Sequence, residues 1–106
     1  MSEQVKASHI LLMYQGSLRS SANRSKEEAS SLIQELHGQA EGGTAFDELA
    51  RSHSDCPSGT SGGDLGTFGR GQMVPEFETA AFGLEVGGLS TVIETDFGYH
   101  IIQRTA

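Results

Sequence analysis

The chain carries a single thiol, Cys56, and four imidazoles, at His9, His37, His53 and His100. A thiol with histidines can act as a nucleophile, as a metal site, or in neither way, and the surroundings decide. A nucleophilic cysteine needs a cation or a helix N-terminus to lower its pKa. Here Asp55 is adjacent, and a carboxylate near the sulfur would raise that pKa by like-charge repulsion. No oxyanion or third-member arrangement is recognisable, so a thiol-dependent hydrolase is disfavoured. Zinc is conceivable by residue type at His9, Cys56 and His100. No tight C-x-x-C or H-x-x-x-H spacing supports it, so the expectation is no metal and no cofactor. His37 and His53 fall on helical stretches and read as surface or packing residues. The glycines at 62, 63, 66, 69 and 71 are not followed by GK[ST] and form no phosphate loop. They fit turn geometry around a short strand.

Charge narrows the partners. The formal net charge of -7 over 106 residues repels nucleic acid and anionic membranes, so neither is an expected partner. Three of the seven basic residues, Arg19, Arg24 and Lys26, nevertheless fall close together. Two guanidinium groups there could fork onto a phosphate or carboxylate. The competing reading is a flexible loop with solvated arginines. The lone cysteine rules out an intrachain disulfide and fits a reducing compartment. Met1 to Lys6 lacks an apolar signal-peptide core, and the longest apolar run, Ile10 to Tyr14, is too short to span a membrane. The expectation is a cytoplasmic protein, and a monomer, since no symmetric apolar patch is legible. Mean hydropathy of -0.30 and 36% hydrophobic residues fit an ordinary globular domain.

These residues need elements to hold them. Val5 to Met13 reads as a strand with Val5, Ala7, His9, Leu11 and Met13 on one side and Ile10 and Leu12 on the other. Apolar residues on both sides imply a central strand, so His9 should point inward. A loop covers Tyr14 to Asn23. Ser25-Lys26-Glu27-Glu28 fits a capping box, followed by Ala29, Leu32, Ile33, Leu36 and Ala40 as one helical stripe ending at Gly42-Gly43. Thr44 is the expected cap of a second helix that carries Phe46, Leu49, Ala50 and His53 on one face. Ser54 to Gly63 reads as a structured loop, and Asp64 to Phe68 as a short strand. Pro75 suits the first turn of a third helix ending near Gly83, with Phe77, Ala80, Ala81 and Leu84 inward. Thr91–Thr95 and Tyr99–Thr105 read as strands joined by a turn at Asp96-Phe97-Gly98. The order β-α-α-β-α-β-β is an α+β domain spanning residues 1–106.

Three combinations then stand out together. They are Ser8-His9-Ile10-Leu11-Leu12; Ser52-His53-Ser54-Asp55-Cys56 with Gly62-Gly63-Asp64-Leu65-Gly66-Thr67-Phe68 and Arg70-Gly71-Gln72-Met73; and Phe97-Gly98-Tyr99-His100-Ile101-Ile102. With Pro75-Glu76-Phe77 and Ala80-Ala81-Phe82, the ordered set resembles the parvulin family of peptidyl-prolyl cis–trans isomerases, from Lys6 to Arg104. The resemblance implies a four-stranded antiparallel sheet surrounded by helices, the parvulin or FKBP-like arrangement. It implies that His9 and His100 lie side by side on two central strands, with Cys56 facing them and Asp55 and Thr95 completing the catalytic set. Leu65, Met73 and Phe77 would line the pocket for the substrate proline ring, with Gln72 and Thr95 at its polar edge. Substrates would be proline-containing peptides and proteins. In motif the chain is most similar to the subgroup that prefers phosphoserine or phosphothreonine before proline, but with a reduced basic loop. Met13 stands where that subgroup carries a lysine, and its paired arginines are reduced to Arg19 and Arg24. The implied preference is a mild one, for acidic or phosphorylated residues before proline. No amino-terminal phosphopeptide-binding module is expected ahead of a strand that starts so near Met1.

Such a reaction breaks no covalent bond; its barrier is the loss of amide resonance, about 18–20 kcal/mol. A proton relay is not required, so His9 and His100 read as scaffold. A catalytically weak peptide-binding or chaperone module using the same groove is the alternative from another class.

Overall fold

The computed structural model describes residues 4–17, 20 and 22–106. In chain order the elements are β1 (Gln4–Leu12), α1 (Lys26–Glu41), α2 (Phe46–His53), a 3₁₀ helix (Pro57–Ser61), β2 (Asp64–Gly69), α3 (Pro75–Gly83), β3 (Ile93–Thr95) and β4 (Gly98–Arg104). The four strands form one antiparallel sheet in the order β2-β1-β4-β3.

The two-sided pattern of β1 decides the layering. Ile10 and Leu12, with Ile101 of β4, pack against Ala29, Ile33 and Leu36 of α1 and Phe46, Leu49 and Ala50 of α2. Val5 and Ala7, with Phe68 of β2 and Ile102 of β4, pack against Phe77 and Ala81 of α3. The sheet is therefore covered on both faces, and β1 and β4 form its buried centre. Burying each of the large side chains here, such as Ile10, Leu12, Ile33 and Ile101, contributes about 1.5–3 kcal/mol.

α1 begins as its sequence dictates. Ser25 Oγ accepts the Glu28 backbone N–H at 3.1 Å, and Glu28 Oε1 accepts the Ser25 N–H at 2.9 Å. Three boundaries differ from the sequence reading. α2 is capped at Ala45 with no side-chain bond, not at Thr44. The Thr44 N–H is drawn to Gln39 O at 3.0 Å, so Thr44 still belongs to the exit from α1. The segment expected to be a loop from Ser54 to Gly63 holds the 3₁₀ helix, because Pro57 sits at its first turn with φ already fixed. The third strand is confined to Ile93–Thr95. The chain leaves β4 between Leu89, which bridges Gln103, and Ile93, which faces His100.

Candidate active site

β2 pairs with β1 only from Gln4 to Ser8. Beyond Ser8 the edge of β1 would hold unpaired backbone groups, which are costly when buried. The segment around the 3₁₀ helix takes them over. The His9 N–H donates to Gly63 O at 2.9 Å, the Leu11 N–H to Ser54 Oγ at 3.1 Å, and the Asp55 N–H to Leu11 O at 2.7 Å. The Met13 N–H donates to Asp55 Oδ2 at 2.8 Å. Gly63 is required for this approach, since a Cβ there would lie 2.3 Å from His9 O and φ is +83°. Cys56 is thereby fixed beside β1.

α3 covers the Val5, Ala7 and Ile102 end of its sheet face. At the other end a cleft of about 360 Å³ opens over His9, Leu11 and Met13, with His100 alongside. Its walls are Leu65 from β2, Met73 and Val74 from the entry to α3, Phe77 from α3, Phe97 from the β3–β4 turn, and Cys56 and Pro57. That volume lies within the range of about 300–1,000 Å³ usual for small-ligand sites. The lining is almost wholly apolar. Gln72 brings an amide to the rim, where its Oε1 accepts the Gly69 N–H at 2.6 Å.

Beneath the cleft His9 and His100 are stacked, with ring centroids 5.4 Å apart and an interplanar angle of 25°. Phe77 stands nearly perpendicular to both rings, at 5.5 and 5.7 Å. Burial, with His100 nearby, pushes the His9 pKa down to about 3, and burial pushes His100 down to about 4. Both are therefore neutral near pH 7. The two Nδ1 atoms lie 3.3 Å apart, so one donates and the other accepts. His100 Nε2 lies 2.7 Å from Thr95 Oγ1, which also accepts the Phe97 N–H at 3.2 Å. One assignment leaves the fewest groups unpaired: the Thr95 hydroxyl donates to His100 Nε2, and His100 Nδ1–H donates to His9 Nδ1. The His9 proton then resides on Nε2, which is buried and has no partner among the described residues. The Cys56 sulfur accepts a hydrogen bond from Ser58 Oγ at 3.2 Å.

The sequence reading thus finds its proline-pocket residues Leu65, Gln72, Met73 and Phe77 in one hollow with His9, Cys56 and His100. Thr95 differs from the expectation: it is buried behind His100 instead of standing at the cleft's edge. Asp55 lies outside the cleft lining, its carboxylate engaged by the Met13 N–H and the Arg24 guanidinium. Arg24 is not a free anion receptor either. Its Nη1 pairs with Asp55 and donates to Met13 O at 3.0 Å. Lys26 pairs with Glu94 at 3.0 Å, and Glu94 also accepts the Tyr14 hydroxyl at 2.9 Å. Arg19 lies outside the described residues. His37 packs as expected, its Nε2 bonding Ser90 O at 2.8 Å. Sequence reasoning alone does not single out Leu11, Met13, Pro57, Ser58, Val74 or Phe97 as site residues. Alternation along β1 carried the signal for Leu11 and Met13, since both share the side of His9.

The model of the PPIC-type PPIase domain matches residues 1–106. The chain belongs to the parvulin, or PPIC-type, family of peptidyl-prolyl cis–trans isomerases. Among its relatives, peptidyl-prolyl cis-trans isomerase Pin1 of Digitalis lanata is 45% identical over 98% of each chain. The putative isomerase dodo of Drosophila melanogaster is 46% identical over 98% of this chain and 67% of its own length. Peptidyl-prolyl isomerase ESS1 from Candida albicans superposes with a TM-score of 0.90 at 40% identity, covering 97% of this chain and 63% of that one. The solution structure of TbPIN1 gives 0.89 at 38% identity over the whole of both chains. As a Pin1-like parvulin, this chain is an isomerase of the peptide bond before proline, and its substrates are proline-containing peptides and proteins.

Proposed function

We propose that catalysis is non-covalent. The prolyl ring is gripped by Leu65, Met73 and Phe77 while the preceding carbonyl turns past Cys56. The observation that carries this reading is the single apolar hollow these side chains share with the thiol. The twisted amide loses the charge separation of the planar one, so a dry cleft favours it over both ground states. Every ~1.4 kcal/mol of that preference speeds rotation tenfold. His9, His100 and Thr95 act as a neutral, hydrogen-bonded floor, and Gln72 orients the substrate at the rim.

The preference before proline is a mild one for acidic or phosphorylated residues. Arg24 already pairs with Asp55, so an incoming anion must compete with that carboxylate for it. The half-buried free thiol supports a reducing, cytoplasmic setting. Val86 is the one exposed large hydrophobic residue among those described, which supports a monomer that does not bind nucleic acid at so negative a net charge.

Exchange NMR on a panel of Ala-Pro, Glu-Pro and phosphoSer-Pro peptides tests both readings. The expected result is faster isomerisation of all three, with the acidic peptides ahead by less than about tenfold. Peptide binding without acceleration would leave only a binding module. Equal rates on all three would remove the anion preference.

A further inference from the structure

Asp55 joins three parts of the chain through a few atoms. Its backbone N–H holds Leu11 O, and its Oδ2 accepts the Met13 N–H, so it closes the open edge of β1. The same oxygen pairs with Arg24 Nη1, which also donates to Met13 O. Arg24 O in turn accepts the Gln15 N–H at 2.9 Å, closing the loop that leaves β1. Both side chains are little more than a quarter exposed. Met13 lines the cleft on one side of this junction, and Cys56, the next residue along the chain, lines it on the other.

We propose that Asp55, clasped by Arg24, is a positioning residue for the isomerisation: it sets Cys56 and Met13 at the distance the turning carbonyl requires. The proposal rests on the reading of Cys56 as a wall of the working cleft. Asp55 touches no substrate, because its carboxylate is turned to β1 and Arg24. Misplacing a catalytic wall by about 1 Å can cost as much as 10²-fold in rate. Without the Asp55 carboxylate the thiol segment keeps its two bonds to Leu11, from the Ser54 hydroxyl and the Asp55 N–H, but loses its tie to Met13 and Arg24 and can shift. The 3₁₀ helix beyond stays anchored by Gly63, so the fold remains while the wall shifts. Loss should fall on kcat, since ring binding by Leu65, Met73 and Phe77 is untouched.

The test is a double-mutant cycle read by kcat and KM, with melting temperatures alongside. Asp55→Ala should lower kcat about tenfold with KM changed less than about twofold. Asp55→Asn keeps an acceptor for the Met13 N–H but loses the ion pair, and should lower kcat about threefold. It carries the test if Asp55→Ala does not fold. Arg24→Met should match Asp55→Asn, and combining the two should add nothing. In a Cys56→Ala background the cost of either Asp55 variant should shrink below about twofold. Equal losses in both backgrounds, or losses that follow the unfolded fraction, would overturn the clasp alone. A Cys56→Ala enzyme as fast as the parent would overturn the reading of the thiol wall and the clasp with it.

Discussion

Among the described residues no general base is hydrogen-bonded to the Cys56 sulfur. That sulfur accepts the Ser58 hydroxyl, and the neighbouring carboxylate is engaged by Arg24. What the thiol offers the cleft is a modest acceptor at one point of an apolar wall. A carboxylate at that position keeps an acceptor for Ser58, whereas a methyl group does not. Cys56→Asp should therefore hold kcat/KM within about threefold of the parent, while Cys56→Ala falls about tenfold. A folded but inactive Cys56→Asp would count against this role. The histidines make a second case. With both imidazoles neutral down to about pH 4 to 5, kcat/KM should be nearly flat between about pH 6 and 8. Long-range ¹⁵N–¹H spectra should place the proton of His9 on Nε2 and that of His100 on Nδ1 throughout this range. A steep limb in the profile, or the opposite tautomers, would indicate that the pair titrates during turnover.

The strands and helices show how such groups are held. Gly63 and Gly83 make a useful pair, because both lack a side chain for different reasons. At Gly63 a Cβ would meet the backbone of His9 at 2.3 Å, at a positive φ. At Gly83 a Cβ meets nothing within 4 Å, in the last turn of α3. Gly63→Ala should cost at least about 2 kcal/mol and reduce activity, because the thiol segment must move away from β1. Gly83→Ala should be neutral or stabilising by up to about 1 kcal/mol. Denaturant melts of the two variants decide; similar stabilities would refute the account of how β1's edge is closed. The pleat of β1, the Ser25 capping box and the β3–β4 turn were all legible in the sequence, because each is written in local spacing. Local spacing also put His9, Leu11 and Met13 on one side. It did not reveal the clasp, whose partners are 31 residues apart and meet only after two loops have folded back. Thr95 is put at the cleft's edge by the likeness to parvulins, whereas the fold buries it behind His100, to whose Nε2 its hydroxyl is bonded. The likeness to parvulins supplied which side chains share the cleft, which periodicity alone could not.

The molecule as a whole joins its two cores through β1 and β4, and the neutral histidine pair lies on those two strands. Protonating either ring would put a charge between the layers. In the unfolded chain both imidazoles have pKa values near 6.5, while in the fold they sit at about 3 and 4. Between those limits the unfolded state binds more protons, so stability is complete above about pH 6.5 and falls as the solution is acidified. Each histidine contributes a slope of at most about 1.4 kcal/mol per pH unit. Two carboxylates are lowered instead: Glu28 by the Ser25 backbone N–H, and Glu94 by Lys26 and the Tyr14 hydroxyl. Their contributions persist until the pH drops below the ordinary value of 4.5. The window from about pH 6.5 to 4.5 therefore selects for the imidazoles over these acids. Melting temperature at constant ionic strength should be level above about pH 7 and decline steadily through that window. Replacing His9 with Asn, which cannot be protonated there, should roughly halve the slope. A melting temperature unchanged from pH 7 to 4.5, or a slope indifferent to the His9 replacement, would show that the pair is not held neutral by the fold.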